Sequence, residues 1–158
     1  MIIVATGHRP DKLGGYNCET INELAELARK YIIEHKPEKV ITGMAQGWDT
    51  AVAMACVSLK VKFTAAVPYV GQERTWPEDA QKQYRELLKK AKAVHVVSPG
   101  GYVPWKYLKR NQWMVDNGTH VLALWNGDQK GGTWHCIKYA RQQGKPITNL
   151  WKAWEIAF

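Results

Sequence analysis

An α/β fold with a mostly parallel sheet of about six strands is what this 158-residue chain predicts, on three observations. Short apolar, β-branched runs recur along it, segments of helical spacing separate them, and glycines with unusual polar residues gather just after the runs. Such alternation implies a parallel sheet covered on both faces, because each crossover helix must bury its apolar stripe against the sheet it returns to.

The first run is "IIVAT" at 2–6. Ile21, Leu24, Leu27, Ala28, Tyr31 and Ile32 then place apolar side chains along one face of a helix. Asn17 is its expected N-cap, with Glu19 and Glu23 near the positive helix end. The runs "KVIT" (39–42), "KFTAAV" (62–67), "AVHVV" (93–97), "HVLALW" (120–125) and "PITNLW" (146–151) each have the length of a buried strand. Between them, helices are expected over 49–60, 77–91, 104–117 and 132–143. Pro77 suits a first helical position because its missing N–H would find no partner there, and Gly144 suits a helix stop. The expected product is a Rossmann-like three-layer α/β/α domain with strand order 3-2-1-4-5-6, binding its ligand beyond the carboxyl ends of the strands, where the order reverses.

A hydrophobic content of 46% over this length fits a single domain spanning 1–158. Cys18, Cys56 and Cys136 show no CxxC spacing, so neither a zinc site nor a disulfide framework is expected. No segment approaches the roughly 18 apolar residues of a membrane span, and "MIIVATG" carries no basic leader, so a cytoplasmic protein without a membrane partner is expected. A net charge of +8 favours an anionic ligand, nucleotide or nucleic acid, although no block of basic residues forms a nucleic-acid arm. Eight tryptophans exceed what a core of this size needs, and some could stack on a base.

Four motifs, three at strand ends and one on a helix, carry the candidate chemistry. "TGHRP" puts Thr6, Gly7, His8 and Arg9 after the first strand; Arg9 is a natural fork for phosphate, while His8 reads equally as a backbone brace. "GMAQGWD" offers Gly43, Met44, Ala45, Gln46 and Gly47 as a tight turn into a helix. There, backbone amides can hold an anion and Gln46 or Asp49 a ribose or base. Asp49 reads equally as the cap of that helix. Arg110 and Asn111, in "KRNQWMVDNG", would complement a phosphate and a base or ribose if they lie close to the sheet edge, or be a surface arginine with Met114 in the core. Gly131, Gly132 and Thr133 open a further helix, either simply capped or a second anion site.

Taken in order, "TGHRP", "GMAQGWD", "RNQWMVD" and "GGTWHCIKYARQQGKPI" resemble the YspA-like branch of the SLOG superfamily, relatives of the DNA-processing protein DprA and of the cytokinin-activating LOG enzymes. The resemblance runs from residue 4 to about 148. It implies a Rossmann-like nucleotide-binding domain of a kind often encoded by bacteriophages, often a ligand sensor or processor and often oligomeric. In LOG enzymes a PGGxGTxxE motif supplies phosphate-binding amides and a glutamate that assists cleavage of the base–ribose bond. Here "KGGTWHC" keeps Gly132 and Thr133 but places Cys136 at the glutamate position, so a general acid would have to come from Asp49, Glu73 or Asp116. The expected function is binding of a nucleotide or nucleotide-derived small molecule, such as an NAD- or ADP-ribose-like signal or a nucleoside monophosphate. Nucleotide N-glycosidase or phosphoribohydrolase activity, with Asp49 and Glu73 as catalytic carboxyls, is the first alternative; single-stranded nucleic-acid binding is the second. Trp48 and Trp125 are the expected base-stacking residues. Neither cofactor nor metal is expected, and a homo-oligomer is.

Overall fold

The computed structural model describes residues 1–15 and 17–157. Its strands are β1 (Ile2–Gly7), β2 (Lys39–Thr42), β3 (Phe63–Val67), β4 (Ala93–Val96), β5 (His120–Leu124) and β6 (Ile147–Asn149). Its helices are α1 (Cys18–His35), α2 (Trp48–Leu59), α3 (Glu78–Lys90), α4 (Pro104–Asn117), α5 (Gly131–Gln142) and α6 (Trp151–Ala157). Short 3₁₀ turns occupy Pro10–Lys12 and Gln72–Thr75. The six strands form one parallel sheet, the Rossmann-like three-layer α/β/α fold that the alternation predicts. Among the described residues, no helix is long and apolar enough to cross a membrane.

Alternate side chains along each strand feed two cores, as the period of two requires. Ile3, Ala5, Val40, Phe63 and Leu122 face α1, α2 and α3, with Trp154 of α6 closing that side. Val4, Ile41, Ala66, Val121 and Ala123 face α4 and α5 through Met114, Val115, Cys136, Ile137 and Ala140. In α1, Leu24, Ala28 and Ile32 of the expected stripe are buried, and Asn17 accepts from the Thr20 amide at 2.8 Å as its cap. α2 is sealed nearly all round, and its small side chains at Ala51, Ala53, Ala55 and Cys56 let α1 and the sheet approach closely.

Three expectations need correction. The strand order is β4-β3-β2-β1-β5-β6, not 3-2-1-4-5-6. β4 extends the first wing beside β3, from Thr64↔Ala93 to Val67↔Val96. The sheet therefore reverses between β1 and β5, paired from Ile3↔His120 to Gly7↔Leu124. Right-handed crossovers through α1, α2 and α3 all step outward on one face, and only α4, on the other face, carries the chain back past β1. β4 is accordingly an edge strand with Val94 and Val96 exposed, not a buried one.

The last apolar run also divides. β6 ends at Asn149, whose amide accepts from the Trp125 N–H (3.0 Å) and donates to the Trp125 carbonyl (2.8 Å), so its side chain continues the ladder in place of backbone. The same Oδ1 accepts from the Trp151 N–H at 3.2 Å, and α6 starts there.

Candidate functional site

At the reversal point, beyond the carboxyl end of β1, a cavity of about 560 Å³ opens between the β1 loop, the turn into α2, α4 and the start of α5. Its walls include Thr6, Gly7, His8 and Arg9 from β1 and its loop, Ala45 and Asp49 from the turn into α2, Arg110 and Asn111 from α4, and Gly131, Gly132 and Thr133 from the start of α5. Four motifs far apart in sequence thus meet at one place. Sequence reasoning missed Tyr107, Leu108, Lys12 and Lys130 on the same walls. Tyr107 was findable: with Arg110, Asn111 and Met114 it follows the i, i+3, i+4, i+7 rule along one face of α4.

The first loop is braced by His8. Its backbone N–H donates to the Leu124 carbonyl (3.1 Å), and its Nε2 accepts from the Asn126 N–H (2.9 Å). Burial lowers its pKa, outweighing the hydrogen bond to Asn126, so the ring is neutral at pH 7 with the proton on Nδ1. His8 thereby ties the β1 and β5 loops together.

The glycines of the first two motifs have packing reasons. A Cβ on Gly7 would stand 2.5 Å from the Trp48 ring, and one on Gly43 2.6 Å from the Arg110 guanidinium. At Gly47, φ is +92° and a Cβ would meet the His8 carbonyl at 2.5 Å, so the two loops can cross only over a bare backbone. The Trp48 N–H donates to that carbonyl (3.3 Å), and its ring, wholly enclosed, donates to the Leu122 carbonyl (3.3 Å). Trp48 is a core residue and cannot stack on a base. Trp125 is not among the residues lining the cavity: it stacks on Trp134 at 5.6 Å, has Arg141 over its ring and gives its N–H to the Asp128 carbonyl.

The turn at the start of α5 differs. Gly131 has φ +84°, and a Cβ on it or on Gly132 would meet nothing within 4 Å. No side chain caps this helix. First-turn N–H groups have no partner within a helix, and here they stand at a cavity wall with the positive end of the helix dipole behind them.

Beneath them, Arg110 donates through Nη1 to the Gly43 carbonyl (2.7 Å) and through Nε to Asn111 Oδ1 (3.1 Å). Asn111 in turn donates to the Gly132 carbonyl at 3.1 Å. This relay fixes the β2 loop and the α5 turn relative to one another. Arg110 is nearly fully buried; burial lowers its pKa, the Asp49 carboxylate opposes that, and a guanidinium starts high enough to stay charged.

Asp49 is not the cap of α2. That helix begins one residue earlier, at Trp48, with Gly47 in the cap position. Asp49 Oδ2 accepts from the Ala45 N–H at 3.4 Å, while Oδ1 is buried without a partner. Burial pushes its pKa up to about 6, against the pull of Arg110, the Ala45 N–H and Arg9.

Several expected site residues lie elsewhere. Met44 is wholly buried in the core. Gln46 and Gly47 line a separate groove of about 440 Å³ with Trp76 and Gln83. Glu73 sits in the turn before α3, paired with Arg85 at 3.3 Å, and Asp116 holds the Tyr139 hydroxyl at the far end of α4. Neither carboxylate is among the residues lining the cavity. Cys136 is enclosed below Thr6 and its pKa is pushed up to about 11 by burial, so it is an uncharged thiol. Among the described residues no cluster of His, Cys, Asp or Glu could hold a metal.

The model of the YspA SLOG family matches residues 3–151. The chain is similar to the uncharacterized SPbeta prophage-derived protein YoqJ of Bacillus subtilis strain 168, with 28% identity over 137 residues covering 77% of this chain and 80% of that one. It is also similar to UPF0398 protein BH1768 of Halalkalibacterium halodurans, with 24% identity over 92% of this chain and 84% of that one. Among solved structures it is similar to DNA processing protein A of Streptococcus pneumoniae, with TM-score 0.64 and 16% identity over 93% of this chain and 49% of that one. The corresponding protein of Helicobacter pylori, described for its single-stranded DNA binding mode, gives TM-score 0.66 and 16% identity over 94% of this chain and 64% of that one. The chain spans half to two thirds of the length of those two proteins, and at this identity the likeness is one of fold.

Proposed function

We propose that this chain, which belongs to the YspA SLOG family, binds a nucleotide or nucleotide-derived small molecule in the cavity beyond the carboxyl end of β1, with phosphate on the first turn of α5. The observation that carries the reading is that open, uncapped turn: Gly131 and Gly132 have free space before them where the glycines of the other motifs are filled by side chains or crossing backbone. Arg9 and Lys130 add exposed positive charge at the walls, and the unpartnered Oδ1 of Asp49 is an acceptor for a sugar hydroxyl. Arg110 and Asn111 position the site by holding the Gly43 and Gly132 carbonyls, and both keep further N–H donors at the cavity wall.

Isothermal titration against nucleoside mono- and diphosphates, NAD and ADP-ribose tests this. At least one should bind, and Gly132→Asp, which sets a carboxylate over the same amides in open space, should abolish binding without unfolding the protein. The proposal fails if the folded protein binds none of them, or if Gly132→Asp binds as tightly as the native chain.

A second reading, cleavage of an N-glycosidic bond, is favoured by one observation. A carboxyl with a pKa of about 6 beside the cavity is suited to proton transfer near neutral pH. Base release from a nucleoside monophosphate, followed by chromatography, should then vanish in Asp49→Asn and persist in Glu73→Ala.

A further inference from the structure

Large apolar side chains are unusually exposed around the start of α4, where Tyr102 is 67%, Trp105 48% and Leu108 41% accessible. Exposing an indole and a phenol together forgoes the burial that such rings otherwise supply. Two connections tie them to the cavity. Leu108 lines it, and Trp105 precedes Leu108 by three residues, on the same face of the helix and one turn nearer its start. Tyr107 also lines it, and the Tyr102 ring packs edge-on against Tyr107 at 6.1 Å.

The rim is held in place and is positively charged. Lys106 is buried and donates to the carbonyls of Pro99 (2.5 Å) and Gly101 (2.9 Å), pinning the loop that presents Tyr102. Its ammonium lies 5.9 Å from the centre of the Trp105 ring, and that of Lys109 lies 5.5 Å away. Aromatic faces beside cations at the mouth of an anion site are the elements of a platform for a base joined to phosphate.

We propose that the base of the bound nucleotide leaves the cavity along α4 and stacks on the rim formed by Tyr102 and Trp105. The proposal rests on the phosphate reading above. It assigns base recognition to residues outside the four glycine-rich motifs, and it applies to a free nucleotide or to a nucleotide within a single strand.

The test compares ribose 5-phosphate, AMP and a short oligothymidylate by isothermal titration on the native chain, Trp105→Phe, and the double variant Tyr102→Ala/Trp105→Ala. AMP should bind the native chain between about 5- and 150-fold more tightly than ribose 5-phosphate. The double variant should lose that advantage while keeping its affinity for ribose 5-phosphate, and Trp105→Phe should keep most of it. If the oligothymidylate gains over AMP and loses the gain in the double variant, the base belongs to a strand; if AMP alone is affected, to a free nucleotide. The proposal is overturned if the double variant binds AMP as the native chain does. It is also overturned if light scattering shows that the variant only alters self-association, the rim then being a contact between copies. Failure of ribose 5-phosphate and AMP alike to bind the native chain overturns the phosphate reading and this one with it.

Discussion

Asp49→Asn should stabilise the protein, and by an amount that grows with pH. Asp49 is a carboxyl whose pKa rises from an unfolded value of 3.8 to about 6 on folding, chiefly through burial. The folded state therefore favours the protonated form, so this group costs nothing well below pH 3.8 and destabilises progressively as pH rises through 6. The shift of about 2.2 units, at about 1.36 kcal/mol per unit, gives a cost of about 3 kcal/mol above pH 7. About 1 kcal/mol of it is already present at pH 4.5, because the unfolded carboxyl is by then mostly ionised, which leaves about 2 kcal/mol to develop between pH 4.5 and 7.5. Asparagine has the same shape and no charge, so the stability difference between variant and native chain isolates this term from all other titrations. Urea unfolding at pH 4.5 and 7.5 measures it; by melting temperature the gain over that range should be about 4–8 °C. A difference that stays flat across pH would refute the reasoning, since it would mean that the buried carboxylate is ionised without cost. If Asp49 also contacts the ligand, the stabilised variant should bind it more weakly, a common exchange at sites that hold strained groups.

Two further outcomes follow from the packing. Gly47→Ala must fit a Cβ against the His8 carbonyl in a left-handed backbone, and urea unfolding should show a loss of at least about 2 kcal/mol. Iodoacetamide at pH 8 should label the exposed Cys18 and spare Cys56 and Cys136, whose pKa values burial pushes up to about 12 and about 11; mass spectrometry should find one adduct on the folded chain and three after unfolding.

Strand and helix positions were legible wherever a local period carried them, as with α1 and its Leu24, Ala28 and Ile32. β4 was not legible as an edge, because "AVHV" is as apolar as a buried strand and only the chain's return path leaves it uncovered. α6 hid behind β6 because "PITNLW" continues its apolar character across Asn149, whose amide both replaces backbone in the ladder and receives the next helix. Three of the cavity's motifs were readable from their places at strand ends, and the fourth from the spacing of Arg110, Asn111 and Met114 along α4. The reasons for their glycines were not: Gly7 and Gly43 answer to Trp48 and Arg110, side chains supplied from elsewhere in the chain. The tryptophans misled for a related reason, since an indole beside glycine looks accessible until the distant segment that covers it is known. Gln46 and Asp49 sit only three residues apart on one turn, yet they face different cavities.

The place of β1 in the sheet has a consequence for how the chain assembles during synthesis. β1 pairs on one side with β2, Ile2 opposite Lys39, and on the other with β5, Ile3 opposite His120. Closing the longer loop costs about 1 kcal/mol more in chain entropy and must wait until β5 has been made. The wing from β1 to β4 can be covered on one face by α1, α2 and α3 before then, whereas α4 and α5 are added to the opposite face later. Every wall of the cavity that comes from the first half is thus laid down early. The amides of Gly131 to Thr133 arrive after β5, so ligand binding reads out whether the segment from α4 onward has docked onto the first wing.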